Sequence, residues 1–341
     1  MKTFATLDVS ERRSVFEQFQ LKQGVSAVVV EKDFWVVWLL AQIFSQPELG
    51  DHAVFKGGTS LSKVFGVIAR FSEDIDLGIS PERLGWSEDK LDAASKNAWT
   101  ERIRPRLESD CARHVEQDWL PRLETGAIRI LGSAAPGKSW LRYQFDDGSR
   151  SPEIIFEYPG VLPRGVDYIA RSVKVEFGSL SDQRPAGRHK IQAMVAPIVS
   201  GVFSDLQTEV VALEIERTFW EKATILHAEF HRPSDKIQPP RYARHYADFA
   251  ALWLHSSGAE ASRQLDLLER VRQHKSRFFA SGWANYATAV PGSLRIMPPE
   301  NRLAALRADY EAMRPMFINH PLPFNQLIAI LQEAEQTLNL A

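Results

Sequence analysis

Apolar residues recur along this chain in two rhythms, and the rhythm changes near residue 210. The first 46 residues carry helical spacing. Ser10 is placed to cap a first helix, and Ser26 a second that runs from Val28 to about Ser45, ahead of Pro47. A short apolar strand follows at Ala53–Phe55, then a Gly57-Gly58 break. Leu61, Val64, Phe65 and Ile68 are then spaced as one stripe of a helix. Asp74-Ile75-Asp76-Leu77-Gly78-Ile79 alternates strictly and predicts a half-buried strand. A long polar-rich helical region is expected over about 87–122, and a β-rich stretch over 127–213. The strand runs within it are Leu141–Phe145, Ile154–Tyr158, Val173–Phe177 and Ile191–Val195, parted by turn signals at Asp147-Gly148, Pro159-Gly160 and Pro185-Ala186-Gly187. After Glu214 the strand signals stop, and helices are expected at about 216–231, 241–256, 261–279, 300–313 and 323–338. The pattern defines an α+β fold: a mixed sheet flanked by helices over 1–210, and an all-helical lobe over 211–341.

Composition narrows the class of protein. Hydrophobic residues make up 44% and charged residues 25%, the balance of a folded globular chain. With 41 basic against 43 acidic residues, bulk electrostatics do not bind nucleic acid; a nucleic-acid partner needs a local patch. The single cysteine, Cys111, excludes an intrachain disulfide and suits a reducing compartment. The longest apolar stretch, Phe34 to Ala41, falls short of the roughly 20 residues a membrane span needs and is expected inside an amphipathic helix. The first residues lack the apolar core of a secretion signal, so no membrane partner and a cytoplasmic address are expected.

Two motif matches fail on their context. Gly132-Ser-Ala-Ala-Pro-Gly137-Lys138-Ser139 fits the Walker A pattern letter for letter. That motif needs a helix directly after the lysine, whose amides cradle phosphate. Here Leu141, Tyr143 and Phe145 alternate as a strand, so a strand–turn–strand connection is expected. His227 and His231 have the i, i+4 spacing of a zinc pair, but Ala228 stands where a zincin carries glutamate. Two polar histidines on a helix flank are expected instead.

The chemistry-bearing constellation lies at 55–76. Phe55-Lys56-Gly57-Gly58-Thr59-Ser60-Leu61-Ser62-Lys63 is a strand, a diglycine and a helix start. Glycines admit close backbone approach, and free amides at a helix start favour an anion such as phosphate. The same letters also suit a tight turn capped by Thr59 or Ser60. Asp74 and Asp76, two apart on a strand, project from one face while Ile75, Leu77 and Ile79 project from the other. Adjacent carboxylates repel each other unless a divalent cation sits between them. In Val173-Lys174-Val175-Glu176-Phe177, Glu176 shares a face with Lys174 and is a candidate third acid if that strand neighbours Asp74–Asp76. A solvent-facing Lys–Glu strand would carry the same letters.

These residues carry a resemblance. Gly57-Gly58-Thr59-Ser60-Leu61-Ser62-Lys63, followed by Arg70-Phe71-Ser72-Glu73-Asp74-Ile75-Asp76-Leu77, resembles the signature of the AbiEii/AbiGii nucleotidyltransferase toxins. That family belongs to the DNA polymerase β-like superfamily and includes the MenT toxins. The resemblance extends to Glu31-Lys32-Asp33-Phe34-Trp35-Val36, to Glu216-Arg217-Thr218-Phe219-Trp220-Glu221-Lys222-Ala223 and to Arg244-His245-Tyr246-Ala247-Asp248. It implies a bilobed, Mg²⁺- or Mn²⁺-dependent enzyme that takes nucleotides from NTP, in several members onto the tRNA 3′ end, and that is encoded with a cognate antitoxin. By the motif match Asp74 and Asp76 are the metal-binding acids, Lys222 contacts the triphosphate, and Asp248 is the remaining acidic motif. Gly57, Gly58, Thr59, Ser60, Lys63, Ser72 and Arg244 are the nucleotide-binding candidates, with Glu176 as an added acid.

The residues themselves leave milder readings beside these. On the helix from 216, Phe219, Ala223, Leu226 and Phe230 form the expected buried stripe, with Lys222 at its edge beside Glu221. On the next helix Arg244 and Asp248 are spaced for an i, i+4 surface pair. Arg232, Lys236, Arg241 and Arg244 fall within thirteen residues whose one acid is Asp235, a local basic patch suited to a triphosphate or an RNA backbone. A protein side chain or a small molecule as acceptor, or a nucleotide-binding protein without turnover, are the competing expectations.

Overall fold

The computed structural model describes residues 1–92, 94–162, 170–199, 201–203, 205–318 and 320–340. The chain divides into two compact units, one of Met1–Val64 and Glu73–Ala212, the other of Phe65–Ser72 and Leu213–Ala341.

The first unit is built on a seven-stranded sheet in the order β3-β4-β5-β2-β1-β7-β6. Its strands are β1 (Ala53–Lys56), β2 (Asp74–Ile79), β3 (Leu141–Asp146), β4 (Ser151–Phe156), β5 (Val173–Gly178), β6 (Ala186–Gln192) and β7 (Gln207–Leu213). The sheet is mixed: β1 runs antiparallel to β2 and parallel to β7, while β5 runs parallel to β2 and antiparallel to β4. One face carries Ile75, Leu77, Val175, Phe177, Ile154 and Phe156, all buried in the core. Helix α1 (Val9–Gln23) and helix α2 (Ala27–Phe44) add Phe16, Phe34, Trp35 and Trp38 to it. The Trp38 ring stacks on Phe156 at 5.2 Å.

Several local details differ from the sequence expectation. Helix α1 is capped by Asp8, which accepts from the Ser10 amide while Glu11 accepts from the Asp8 amide; Ser10 lies inside the helix. Helix α2 is not amphipathic but buried on every side, including Glu31, Lys32 and Asp33. Three successive helical residues point about 100° apart, and each reaches a different segment. Glu31 accepts from the Val161 amide at 2.6 Å, Lys32 donates to Glu73 at 2.7 Å, and Asp33 accepts from the Met194 amide at 2.7 Å and pairs with Lys63.

Helix α3 (Gly57–Lys63) is shorter than the apolar stripe suggests. Gly66 at φ +64° turns the chain away, and Ile68 is buried within the second unit. A helix, α4 (Leu120–Leu131), occupies the start of the expected β-rich stretch. The Walker-like segment is therefore a helix–turn–strand connection, with Gly132 and Gly137 at positive φ and no helix after Lys138. The strand expected at 191–195 ends at Gln192, and β7 completes the sheet.

Among the described residues, the second unit is helical apart from Leu213 at the end of β7, the isolated bridge of Arg70 to Phe317, and connecting loops. Its main helices are α5 (Ile215–Phe230), α6 (Ala243–Leu254), α7 (Leu265–Phe278), α8 (Leu303–Ala312) and α9 (Phe324–Leu340). Residues 65–72 are held there by the Phe71 amide on Met316 O at 2.6 Å and the Ile318 amide on Ala69 O at 2.9 Å. His227 is buried rather than on a flank. Its Nδ1 accepts from the Arg295 amide at 3.0 Å, and its Nε2 lies 3.1 Å from Asn285 O. Burial lowers its pKa to about 4, so it is a neutral staple of the core. Among the described residues no helix is long and apolar enough to cross a membrane.

Candidate active site

The polar face of the first unit's sheet carries a row of side chains in register. Lys56 on β1 pairs with Asp76 on β2, Asp76 with Glu176 on β5, Glu176 with Glu153 on β4, and Glu153 with Gln144 on β3. Asp74, two residues before Asp76, lies in register with Lys174. The β2 strand is the neighbour of β5, so the three acids Asp74, Asp76 and Glu176 lie on adjacent strands.

Local backbone geometry positions the first two acids. Gly57 adopts φ +79°, and a Cβ built on it would overlap Asp76 Oδ2. Only glycine lets the Asp76 carboxylate lie against the turn. The Thr59 hydroxyl donates to the Asp74 carbonyl, which ties the first turn of α3 to the start of β2. Thr59 and Ser60 are both buried, and Ser60 Oγ has no hydrogen-bond partner among the described residues. Lys32 grips Glu73, immediately before Asp74, and Asp33 grips Lys63 at the end of α3. Lys32 and Asp33 on α2 thus fix both flanks of the glycine–aspartate motif. Gly57→Ala is expected to lower transfer activity about 100-fold by displacing the Asp76 carboxylate. Melting should show a loss of about 1–2 kcal/mol from the left-handed backbone.

Charge in the row is unevenly balanced. Burial, reinforced by Glu73 and Asp76, raises the pKa of Asp74 against the pull of Lys174. Burial opposes the charge on Lys174, but Asp74, Glu153 and Glu176 outweigh it and hold the ammonium well above its usual value. Among the described residues no three His, Cys, Asp or Glu side chains are grouped to hold an ion. Two carboxylates, completed by water and phosphate oxygens, are the donor set that Mg²⁺ commonly takes, and Asp74 and Asp76 fit it.

The second unit holds a separate charged cluster. Asp248 on α6 accepts from Arg70 Nε and Nη2 at 2.7 and 2.8 Å and from Lys222 Nζ at 2.8 Å. All three side chains are buried. Lys222 therefore lies in the interior rather than at the edge of α5, and the Arg244–Asp248 surface pair expected from spacing is replaced by Arg70–Asp248. Glu221 pairs with Arg217 at 3.1 Å. Burial works against ionised Asp248, yet Arg70 and Lys222 hold its pKa well below the usual carboxylate range. Burial lowers the Lys222 pKa against the opposing pull of Asp248. His245 Nδ1 lies 3.2 Å from Lys222 Nζ, and burial, with Lys222 and Arg244, keeps its pKa well below the ordinary imidazole value. Arg244 is exposed and Ser72 half-buried.

Three participants were not singled out by sequence pattern. Glu153 precedes an apolar run on a strand buried along its whole length, so no alternation marks it. Lys174 is legible as a face-mate of Glu176, but its position among the acids needs the register. Arg70 stands within the glycine–aspartate signature, and only the fold brings it to Asp248, 178 residues away.

The first unit thus sets a glycine turn against paired strand aspartates on a mixed sheet. Residues 38–333 match the family described as Nucleotidyl transferase AbiEii toxin, Type IV TA system, and the chain belongs to that family. It is accordingly a nucleotidyltransferase of a toxin–antitoxin system, with NTP as substrate and a cognate antitoxin. Among solved structures it is similar to MenT4, nucleotidyltransferase toxin Rv2826c from Mycobacterium tuberculosis H37Rv. That match has a TM-score of 0.46 and 14% identity, covering 96% of this chain and 98% of that one. No curated protein matches in sequence.

Proposed function

We propose that this toxin is a Mg²⁺-dependent enzyme (Mn²⁺ serving in its place) that transfers nucleotides from NTP to the 3′ end of tRNA in the bacterial cytoplasm. The observation that carries the reading is the Asp74–Asp76 pair on β2, with Asp76 against the Gly57 turn and in register with Glu176. Asp74 and Asp76 hold the divalent ion, which when bound neutralises charge developing around the α-phosphate. Gly57, Gly58, Thr59 and Ser60 form the triphosphate turn, with Lys63 at the far end of α3; Ser72 and Arg244 are nucleotide-binding candidates on the family motif alone. Lys222 takes the family's triphosphate-contacting role, with Asp248 fixing its ammonium. An acceptor hydroxyl attacks the α-phosphorus, the bond to the bridging oxygen breaks, and pyrophosphate leaves. Glu176 takes the hydroxyl proton or completes the acid set. Catalysis is positioning plus electrostatics.

A polynucleotide acceptor is favoured by the second unit's basic segment. Arg232 lies 4.6 Å above the Trp283 ring and Lys236 Nζ 5.9 Å from it, while Lys236, Arg241 and Arg244 are exposed. Cations beside an aromatic ring suit single-stranded RNA. The test incubates the protein with total RNA or total protein and each labelled NTP plus Mg²⁺. Label is expected at tRNA 3′ ends; label in protein or in small molecules would reject the tRNA acceptor. Replacing Arg232 and Lys236 with alanine should also flatten the log–log salt dependence of tRNA binding by roughly 0.7–0.9 per lost phosphate contact.

A further inference from the structure

The acid row contains a cation of its own. Lys174 Nζ lies 3.2 Å from Glu153 Oε1, 3.6 Å from Glu176 Oε2 and 3.7 Å from Asp74 Oδ2. The first contact is a hydrogen bond; the other two are Coulombic. Glu153 is only 3% exposed, and its second oxygen accepts from Gln144 Nε2 at 2.7 Å. A neutral amide on one oxygen leaves a buried carboxylate in need of a cation on the other, and removing that cation strands its charge. Lys174 fills that need, so its ammonium is tethered rather than a passing surface contact.

The tether has a chemical consequence. Asp74 and Glu176 lie on neighbouring strands, diagonal to one another across the register, and a two-ion phosphoryl-transfer site draws its carboxylates from such neighbouring positions. Here an ammonium already stands between them, carrying positive charge to the same place. We propose that Lys174 replaces one of the two divalent ions of such a site. The enzyme loads a single ion at Asp74 and Asp76, and the Lys174 ammonium, fixed by Glu153, supplies the second positive charge beside Glu176. This rests on the reading of Asp74 and Asp76 as the ion-binding acids. It adds a fixed cation that needs no recruitment and that cannot be removed by a chelator. Its role is to stabilise charge developing on the phosphoryl oxygens.

Ion counting tests this without reference to turnover. The full-length protein is titrated with Mn²⁺ in the presence of an α,β-methylene NTP analogue, and free Mn²⁺ is followed by electron paramagnetic resonance. The wild type is expected to bind one ion. Lys174→Met leaves Asp74, Glu176 and Glu153 without their ammonium and is expected to bind two, with transfer activity lowered roughly 100-fold or more. Lys174→Gln serves the same purpose if the methionine variant does not fold, and a wild-type count of two overturns the role of Lys174 whether or not either variant folds. Two ions in the wild type, one ion in both proteins, or unchanged activity in a folded Lys174 variant each overturns the role of Lys174 and leaves Asp74 and Asp76 in place. No bound ion in the wild type overturns the ion-binding reading itself, and this inference with it.

Discussion

Asp76→Asn is expected to reduce nucleotide transfer by roughly 1,000-fold or more while the protein stays folded. The two halves of that outcome have separate causes. Asparagine keeps the volume and planar shape of the side chain, so it still fits against Gly57 at φ +79°. The apolar face of β2, with Ile75 and Leu77 in the core, is untouched. Removing one of two like charges also relieves the repulsion on Asp74. Stability should therefore move by no more than about 0.5 kcal/mol. Transfer, by contrast, loses an anionic oxygen of the proposed ion site, and an amide oxygen is a poor replacement for a carboxylate. Labelled-nucleotide incorporation beside a thermal melt checks both halves. A folded variant with near-wild-type transfer would remove Asp76 from the ion site.

The local geometry around Asp74 and Asp76 was readable in the sequence because its signals are local. The Asp74–Ile79 alternation sets the inward and outward faces of one strand without reference to any neighbour. The diglycine likewise announces a backbone that side chains would obstruct, and Gly57 does lie against Asp76. Register is a different kind of information. Glu176 meets Asp76 because β5 pairs parallel with β2, and the connection between those strands passes through β3 and β4. No periodicity within Val173–Phe177 encodes that pairing.

Buried charge was the less legible part. Spacing assigns a charged residue to a solvated face, which is correct wherever no partner exists in the interior. Lys32, Asp33, Lys222 and Asp248 all violate it, each through a partner far along the chain: Glu73, Lys63, and the mutual Asp248 cluster with Arg70. The Glu31-Lys32-Asp33 triplet reads as a polar interruption of an apolar helix, yet it is the means by which α2 holds three segments at once. Family motifs located these positions; the reason for the charges lies in contacts that a one-dimensional pattern does not carry.

Asp248→Asn is expected to be the most destabilising conservative change in the second unit, costing about 3–5 kcal/mol. Asp248 accepts three charge-assisted hydrogen bonds from two buried cations, Arg70 and Lys222. Asparagine offers one acceptor oxygen and places an N–H₂ group against a donor, so both positive charges lose their counterion in the interior. At roughly 2–4 °C per kcal/mol, the melting transition should fall by about 10 °C. The pH dependence identifies the cause. Because the folded carboxyl titrates below its unfolded value, its contribution is complete above about pH 5 and is lost as the pH falls through the folded pKa. Urea midpoints of the two proteins should therefore differ by a constant amount from pH 7 to 5 and converge below about pH 4. A gap that stays constant into strong acid would assign the loss to packing instead of charge. Lys222→Met provides the contrast, because it removes a cation already disfavoured by burial and leaves the bidentate Arg70–Asp248 pair intact. Its stability cost should be nearer 1–2 kcal/mol. With the fold retained, a loss of triphosphate affinity or turnover in Lys222→Met would then report on Lys222 itself.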